Sequence, residues 1–276
     1  MAAVLQATSR ESLAAAGERL DAHVDGASAA ELETLGDELF AVTRLVSSQR
    51  PLRTHLGDPS VPADARAELI RRLLGDQVGE KTLETVTGLV SSRWSRSLDL
   101  VEALELLARR ATLGVAERNG TLDDVEDELF RFGRILDREP ELMGLLADTN
   151  QPEDKRAALL DGVLGDRVSP VSATLLRQTV RNPRDRHLDL AAEELAELTA
   201  SRRDRYVARV STAVALTEEQ ERKLASTLTR IYGRPMTLQI ELDESLLGGL
   251  VVNVGGEVID GSVAGRLAAA GRHLPS

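Results

Sequence analysis

Leu32, Leu35, Leu39, Val42 and Val46 step along the chain by threes and fours, and Leu122, Val125, Leu129, Phe132 and Leu136 repeat the stripe about 90 residues later. Apolar residues at that spacing share one face of a 3.6-residue helix, so each run predicts an amphipathic helix laid on a core. The match extends well beyond the stripes. Leu32 to Leu100 aligns without gaps on Leu122 to Leu190. Glu38-Leu39-Phe40 falls on Glu128-Leu129-Phe130, Arg44 on Arg134, Pro62 on Pro152, and Asp64 and Arg66 on Asp154 and Arg156. Leu74-Gly75-Asp76 and Val78 meet Leu164-Gly165-Asp166 and Val168, while Arg96 with Leu98-Asp99-Leu100 meets Arg186 with Leu188-Asp189-Leu190. Roughly a third of the aligned positions are identical, more than twice what unrelated helical segments share, so the pattern is an internal duplication.

Local signals divide each copy into short helices. Ser28 and Glu31 have capping-box spacing before the first stripe; Thr121 is placed to cap the second, with Asp123 and Asp124 in its first turn. Pro51 and Pro140 are positioned to end these helices, Pro62 and Pro152 suit a helix start, and Gly75 and Gly165 suit a helix stop. Further helices are predicted at Ser12 to Val24, Leu83 to Val90 and Leu175 to Val180. A long helix near Leu98 to Glu117 closes copy one and opens copy two, and its counterpart runs from Leu188 to about Arg203. The expected architecture is mainly α: two tandem helical bundles, 1–100 and 101–205, either separate or sharing the helix near 98–118, followed by a small α/β domain over 206–276.

That last domain announces itself by a change of texture. Tyr206 to Leu216 is β-branched and partly alternating, which predicts a strand. Thr217 to Gln220 has capping-box spacing; Leu224, Leu228 and Ile231 follow at helical intervals, and Gly233 with Pro235 ends the helix. A strand over Met236 to Leu242 comes next. Leu250 to Val254 and Glu257 to Asp260 flank Gly255-Gly256, a two-residue hairpin signal, because glycine tolerates the positive φ that such turns require. Ser262 is placed to cap a final helix carrying Val263, Leu267 and Leu274.

Composition narrows the chemistry. A 276-residue chain with 42% hydrophobic but only 2% aromatic residues builds its cores from Leu, Val and Ala. Without any Cys there is no disulfide, thiol nucleophile or thiolate metal site. No signal peptide or apolar run of membrane-spanning length is visible, and a net charge of −11 disfavours nucleic acid. The basic spots at Arg181, Arg184 and Arg186 and at Arg202, Arg203, Arg205 and Arg209 read as solvated helix faces. Phosphate-loop, dinucleotide and nucleophile-elbow motifs are missing, and His23, His55, His187 and His273 never take metal-ligand spacing. The cluster Asp123, Asp124, Glu126, Asp127 and Glu128 sits at a helix start, where negative charge is favourable, and does not read as an acid/base pair. Neither catalytic or metal residues nor a cofactor are expected.

The run Asp243-Glu244-Ser245-Leu246-Leu247-Gly248-Gly249, followed by Gly255, Asp260 and Ser262, resembles the C-terminal signature of the ATP synthase delta subunit, the oligomycin-sensitivity-conferring family. Glu244 stands where that family often carries proline, and Thr212 to Leu216 resembles the strand end before its C-terminal helix. The resemblance covers about Leu98 to Leu274, with copy one as a second edition of the N-terminal bundle, a lengthening similar to actinobacterial delta regions. It implies a non-catalytic stator on the cytoplasmic face of a bacterial membrane, touching the membrane only through its complex. A bundle would grip the N-terminal helix of an alpha subunit, and the C-terminal unit would hold a b-type stalk. The family's groove lies between the first and fifth helices of the bundle. This implies Leu104, Ala108, Leu175, Leu176 and Thr179 in copy two as the main groove, with the helix Ser12 to Val24 in copy one as the competing location. Asp243, Leu247, Gly248, Gly249, Gly255, Asp260 and Ser262 are expected to be structural. An unrelated helical adaptor would keep the duplication but leave this signature unexplained, and an enzyme with its pocket between bundle and C-terminal unit lacks any supporting motif.

Overall fold

The computed structural model describes residues 6–183, 187–204, 207–232, 236–243, 245–246, 248–254 and 257–263. The chain is mainly helical with a small mixed sheet near its C-terminal end. The first bundle comprises α1 (Ala7–Val24), α2 (Ala29–Ser48), α3 (Arg50–Gly57), α4 (Ala63–Leu74), α5 (Glu80–Ser91) and α6 (Ser97–Asn119). The second uses α6 again, followed by α7 (Leu122–Arg138), α8 (Pro140–Ala147), α9 (Glu153–Leu164), α10 (Pro170–Arg181) and α11 (Leu188–Asp204). Both bundles lie in one compact unit, Met1–Ala196; the other, Glu197–Ser276, begins inside α11.

The stripes are interior, as their spacing requires: Leu32, Leu35, Leu39, Val42 and Val46 on α2 and Leu122, Val125, Leu129, Phe132 and Leu136 on α7 are all buried. Ser28 and Glu31 form the capping box, the Glu31 backbone N–H donating to Ser28 Oγ and the Ser28 N–H to Glu31 Oε2 at 2.8 Å. Thr121 makes no side-chain cap on α7. The preceding helices end at Ser48 and Arg138, just before Pro51 and Pro140, and these prolines also sit in the first turns of α3 and α8, where a missing N–H costs nothing.

Belonging to two bundles leaves α6 little free surface. Leu100, Val101, Leu104, Leu107, Ala108, Ala111 and Leu113 are buried around its whole circumference. Its most extensive packing partner is α2, and the approach is close. A Cβ built on Gly36 would lie 2.5 Å from Thr112 Oγ1, and one on Gly114 would lie 3.1 Å from Leu32 Cδ1. Gly120, at φ 68°, then ends α6 in the left-handed conformation.

In the other unit the strands are β1 (Val207–Thr212), β2 (Thr237–Leu242), β3 (Leu250–Val254) and β4 (Glu257–Asp260), ordered β2-β1-β3-β4. α12 (Glu218–Tyr232) makes the crossover that lets β1 and β2 pair in parallel. β3 runs antiparallel to both β1 and β4. Ala208, Val210, Leu228, Met236, Val252 and Val254 form the core. β1 stops at Thr212, short of the expected Leu216, because its neighbours end there: Thr212 pairs with Leu242 on one side and Leu250 on the other. Val254 pairs with Glu257 across the two-residue loop; Gly255 and Gly256 themselves, and the final helix expected through Leu267 and Leu274, lie outside the described residues.

Candidate functional site

Two helices of the first bundle stand apart along one side. α1 and α5 are antiparallel, with Ser12 Oγ donating to the Arg93 carbonyl at 2.8 Å at one end and Arg19 lying beside Gly88 further along. Between them is a cavity of about 470 Å³ lined by Ala16, Arg19, Leu20, Ala22 and His23 of α1 and Lys81, Glu84, Thr85 and Gly88 of α5. Ala16 and Leu20 make a buried apolar floor; Lys81 and Glu84, paired at 3.0 Å, belong to a solvated charged rim. An apolar floor with a charged rim suits the apolar stripe of an amphipathic helix.

The walls are fixed by side chains that recur in both bundles. Glu38 of α2 accepts the Gly79 N–H on both carboxylate oxygens at 3.0 Å and also the Thr82 hydroxyl, holding the start of α5. Glu128 of α7 does the same for α10, taking the Ser169 N–H at 3.0 Å and its hydroxyl at 2.8 Å. A carboxylate aimed at unpaired N–H groups is a strong helix anchor. At the opposite ends, buried Arg66 donates to the carbonyls of Leu56 and Ser92, and buried Arg156 to those of Val180 and Arg181. Burial pushes the Arg66 guanidinium below its ordinary pKa, with Asp58 acting in the opposite sense. The sequence paired these residues across the repeat without disclosing their role; an acidic or basic residue falling on its like at a repeated position is the signal that could have found them.

Among the described residues the second bundle shows no equivalent opening at the anticipated place. Leu104, Ala108, Leu175, Leu176 and Thr179 are all buried in the isolated chain, and none of them lines the cavity between α1 and α5. The physical reason is the sharing of α6. Adding 90 to the cavity residues gives the matching wall positions on α6 and α10, and three of these meet the first bundle: Thr112 meets Gly36, Arg110 meets Gly17 and Asp21, and Gln178 meets Arg44, whose Nη1 donates to its Oε1 at 2.8 Å. Residue size agrees. At five of the nine positions the first bundle has the smaller side chain: Ala16 against Leu106, Leu20 against Arg110, Ala22 against Thr112, Thr85 against Leu175 and Gly88 against Gln178.

The C-terminal signature forms a backbone clasp. Gly248 (φ 132°) and Gly249 (φ 82°) adopt conformations that favour glycine. A Cβ on Gly249 would lie 2.5 Å from the Gly261 carbonyl oxygen. The two loops are joined by Gly261 N–H to the Leu250 carbonyl and Val263 N–H to the Gly248 carbonyl, both at 2.9 Å. Asp243 accepts from the Ser245 N–H, and Asp260 from the Ser262 N–H, each at 2.9 Å. Hydrogen bonds from the Ser245 and Ser262 side chains, then from their backbones, hold both carboxyls below the ordinary aspartate pKa. Leu247 and Gly255 lie outside the described residues. Among the described residues no cluster of potential metal ligands occurs, and the clasp presents tied backbone instead of free reactive groups.

The family model described as ATP synthase delta (OSCP) subunit matches residues 107–274. The ATP synthase subunit delta of Streptomyces coelicolor is 47% identical over 99% of both chains, and that of Streptomyces avermitilis 48% identical over 97% of this chain and 98% of the relative. The ATP synthase subunit b-delta of Mycobacterium sp. (strain KMS) is 45% identical over 98% of this chain and 61% of its own length.

Proposed function

Because the chain belongs to the ATP synthase delta (OSCP) subunit family, we propose that it is the stator piece that ties the catalytic head to the peripheral stalk. Members of the family are structural, non-catalytic subunits of ATP synthase, and an unrelated adaptor is thereby set aside. The finer assignment has two halves. The N-terminal helix of an alpha subunit docks between α1 and α5, and the unit Glu197–Ser276 holds a b-type stalk subunit on the cytoplasmic face of the membrane. The second half is supported by the b-delta relative, in which a chain of this kind is part of one longer polypeptide. Among the described residues no helix is long and apolar enough to cross a membrane, in keeping with attachment through a partner.

The observation that carries the first half is the open cavity of the first bundle, with Gly88 and Ala22 in its walls. Torque is transmitted through packed surfaces, and a helix seated between two anchored helices needs no reactive group. Titration of the full chain with a synthetic alpha N-terminal helix tests the assignment. Gly88→Arg, which fills the cavity from a helix position that tolerates a long side chain, should weaken binding at least about tenfold, a loss of ~1.4 kcal/mol or more. Unchanged affinity in the folded variant would place the helix elsewhere.

A further inference from the structure

We infer that α2 is a built-in occupant of the second bundle's groove, and that the open groove of the first bundle receives its partner helix in the same pose, antiparallel to α1 and parallel to α5. The inference rests on the groove reading above and adds to it the direction of the helix and the pattern of its docking face.

Three contacts fix the path of α2. Leu32 lies against Gly114, Gly36 sits over Thr112, and Arg44 bonds to Gln178 of α10 at 2.8 Å. As numbers rise along α2 they fall along α6, so the two helices are antiparallel. In the second bundle α6 takes the place that α1 takes in the first, and α10 the place of α5. Removing the 90-residue offset carries Thr112 and Gln178 onto Ala22 and Gly88, both of which line the open cavity. The chain therefore displays, in its closed groove, a worked example of the complex that its open groove is shaped to form. Gly36, Phe40 and Arg44 step by four along one face of α2. The partner's docking stripe should likewise offer a small residue at the level of Ala22, a large apolar residue in the middle, and a long polar residue over Gly88, where the missing side chain leaves room.

The chain has no cysteine, so introduced thiols report cleanly. Ala15 and Ala22 are both exposed on α1, seven residues or roughly 10 Å apart along the axis. Full-length Ala15→Cys and Ala22→Cys variants are each mixed with a synthetic alpha N-terminal helix carrying one cysteine at its first or last residue, and disulfide formation is read by mass spectrometry. The expected result is one peptide per chain, the first-residue cysteine joining Ala22→Cys and the last-residue cysteine joining Ala15→Cys. The reverse pairing, or pairing without preference, would overturn the pose while leaving the groove in place. Two peptides bound per chain would overturn the occupancy of the second groove by α2. No binding by the unlabelled peptide would remove the groove reading itself, and the pose with it.

Discussion

Substituting Gly36 by alanine drives a methyl group into the seam between α2 and α6. The new Cβ would stand 2.5 Å from Thr112 Oγ1, and that hydroxyl is held in place by donating to the Ala108 carbonyl at 3.0 Å. Overpacking of this kind costs about 1–3 kcal/mol, while replacing glycine inside a helix returns up to ~1 kcal/mol of propensity. Gly36→Ala alone should therefore be neutral to ~3 kcal/mol destabilising. Once Thr112→Ala removes the obstructing oxygen, the nearest remaining Thr112 atom is its backbone nitrogen at 3.4 Å, an ordinary contact. The double variant should recover the loss, with a favourable coupling of about 1–3 kcal/mol in the mutant cycle. Urea unfolding followed by the fluorescence of Trp94 gives the four stabilities. Trp94 is the sole tryptophan, 2% exposed, with Nε1 donating to the Leu89 carbonyl at 2.8 Å, so its emission reports the first bundle directly. A coupling below ~0.5 kcal/mol at constant m-value would refute the close approach of α2 to α6, and with it the sealing of the second groove.

Phe40 and Phe130 occupy the same repeat position but differ in exposure, 4% against 54%. Phe40→Ala should cost about 3–5 kcal/mol and Phe130→Ala no more than ~0.5 kcal/mol in the same unfolding assay; equal costs would contradict the two environments. The lowered pKa values of Asp243 and Asp260 give the unit Glu197–Ser276 a pH dependence of defined sign. A depressed folded-state value means that the stabilisation is complete above the unfolded aspartate pKa, near ~4, and fades as pH falls through the folded values. Acid unfolding of this unit should begin below about pH 4, and Asp260→Asn should flatten the dependence, as followed by hydrogen exchange of β3 and β4; an unaltered acid profile would remove Asp260 from the account.

How far the sequence could be read depended on whether a residue's role was set locally. The stripes of α2 and α7, the Ser28–Glu31 capping box and the glycine stops at Gly75 and Gly165 depend on neighbours within a turn or two, and each is where the spacing put it. Pro51 and Pro140 have a second place, in the first turn of a new helix, that was not legible because proline before a new helix and proline after an old one look alike when the gap between helices is a single residue, Gln49 or Glu139. The burial of Ala108 and Leu104 was not legible, for a tertiary reason. The shared α6 buries residues on every face, and periodicity alone does not say which of two bundles covers which face. The open groove was written in the chain all the same, as smaller residues at Ala16, Ala22 and Gly88 than at Leu106, Thr112 and Gln178. Reading it required knowing that those positions face one another.

The central claim is that one chain bridges the head and the stalk, and it is tested most directly by mixing the full-length protein with an alpha N-terminal helix peptide and a b-type stalk fragment. Light scattering and analytical ultracentrifugation then count the molecules in the complex. A 1:1:1 assembly is expected, neither ligand weakening the other's binding, because the two proposed sites lie in different compact units. Mutual exclusion of the two ligands, or failure of either to bind the folded chain, would contradict it.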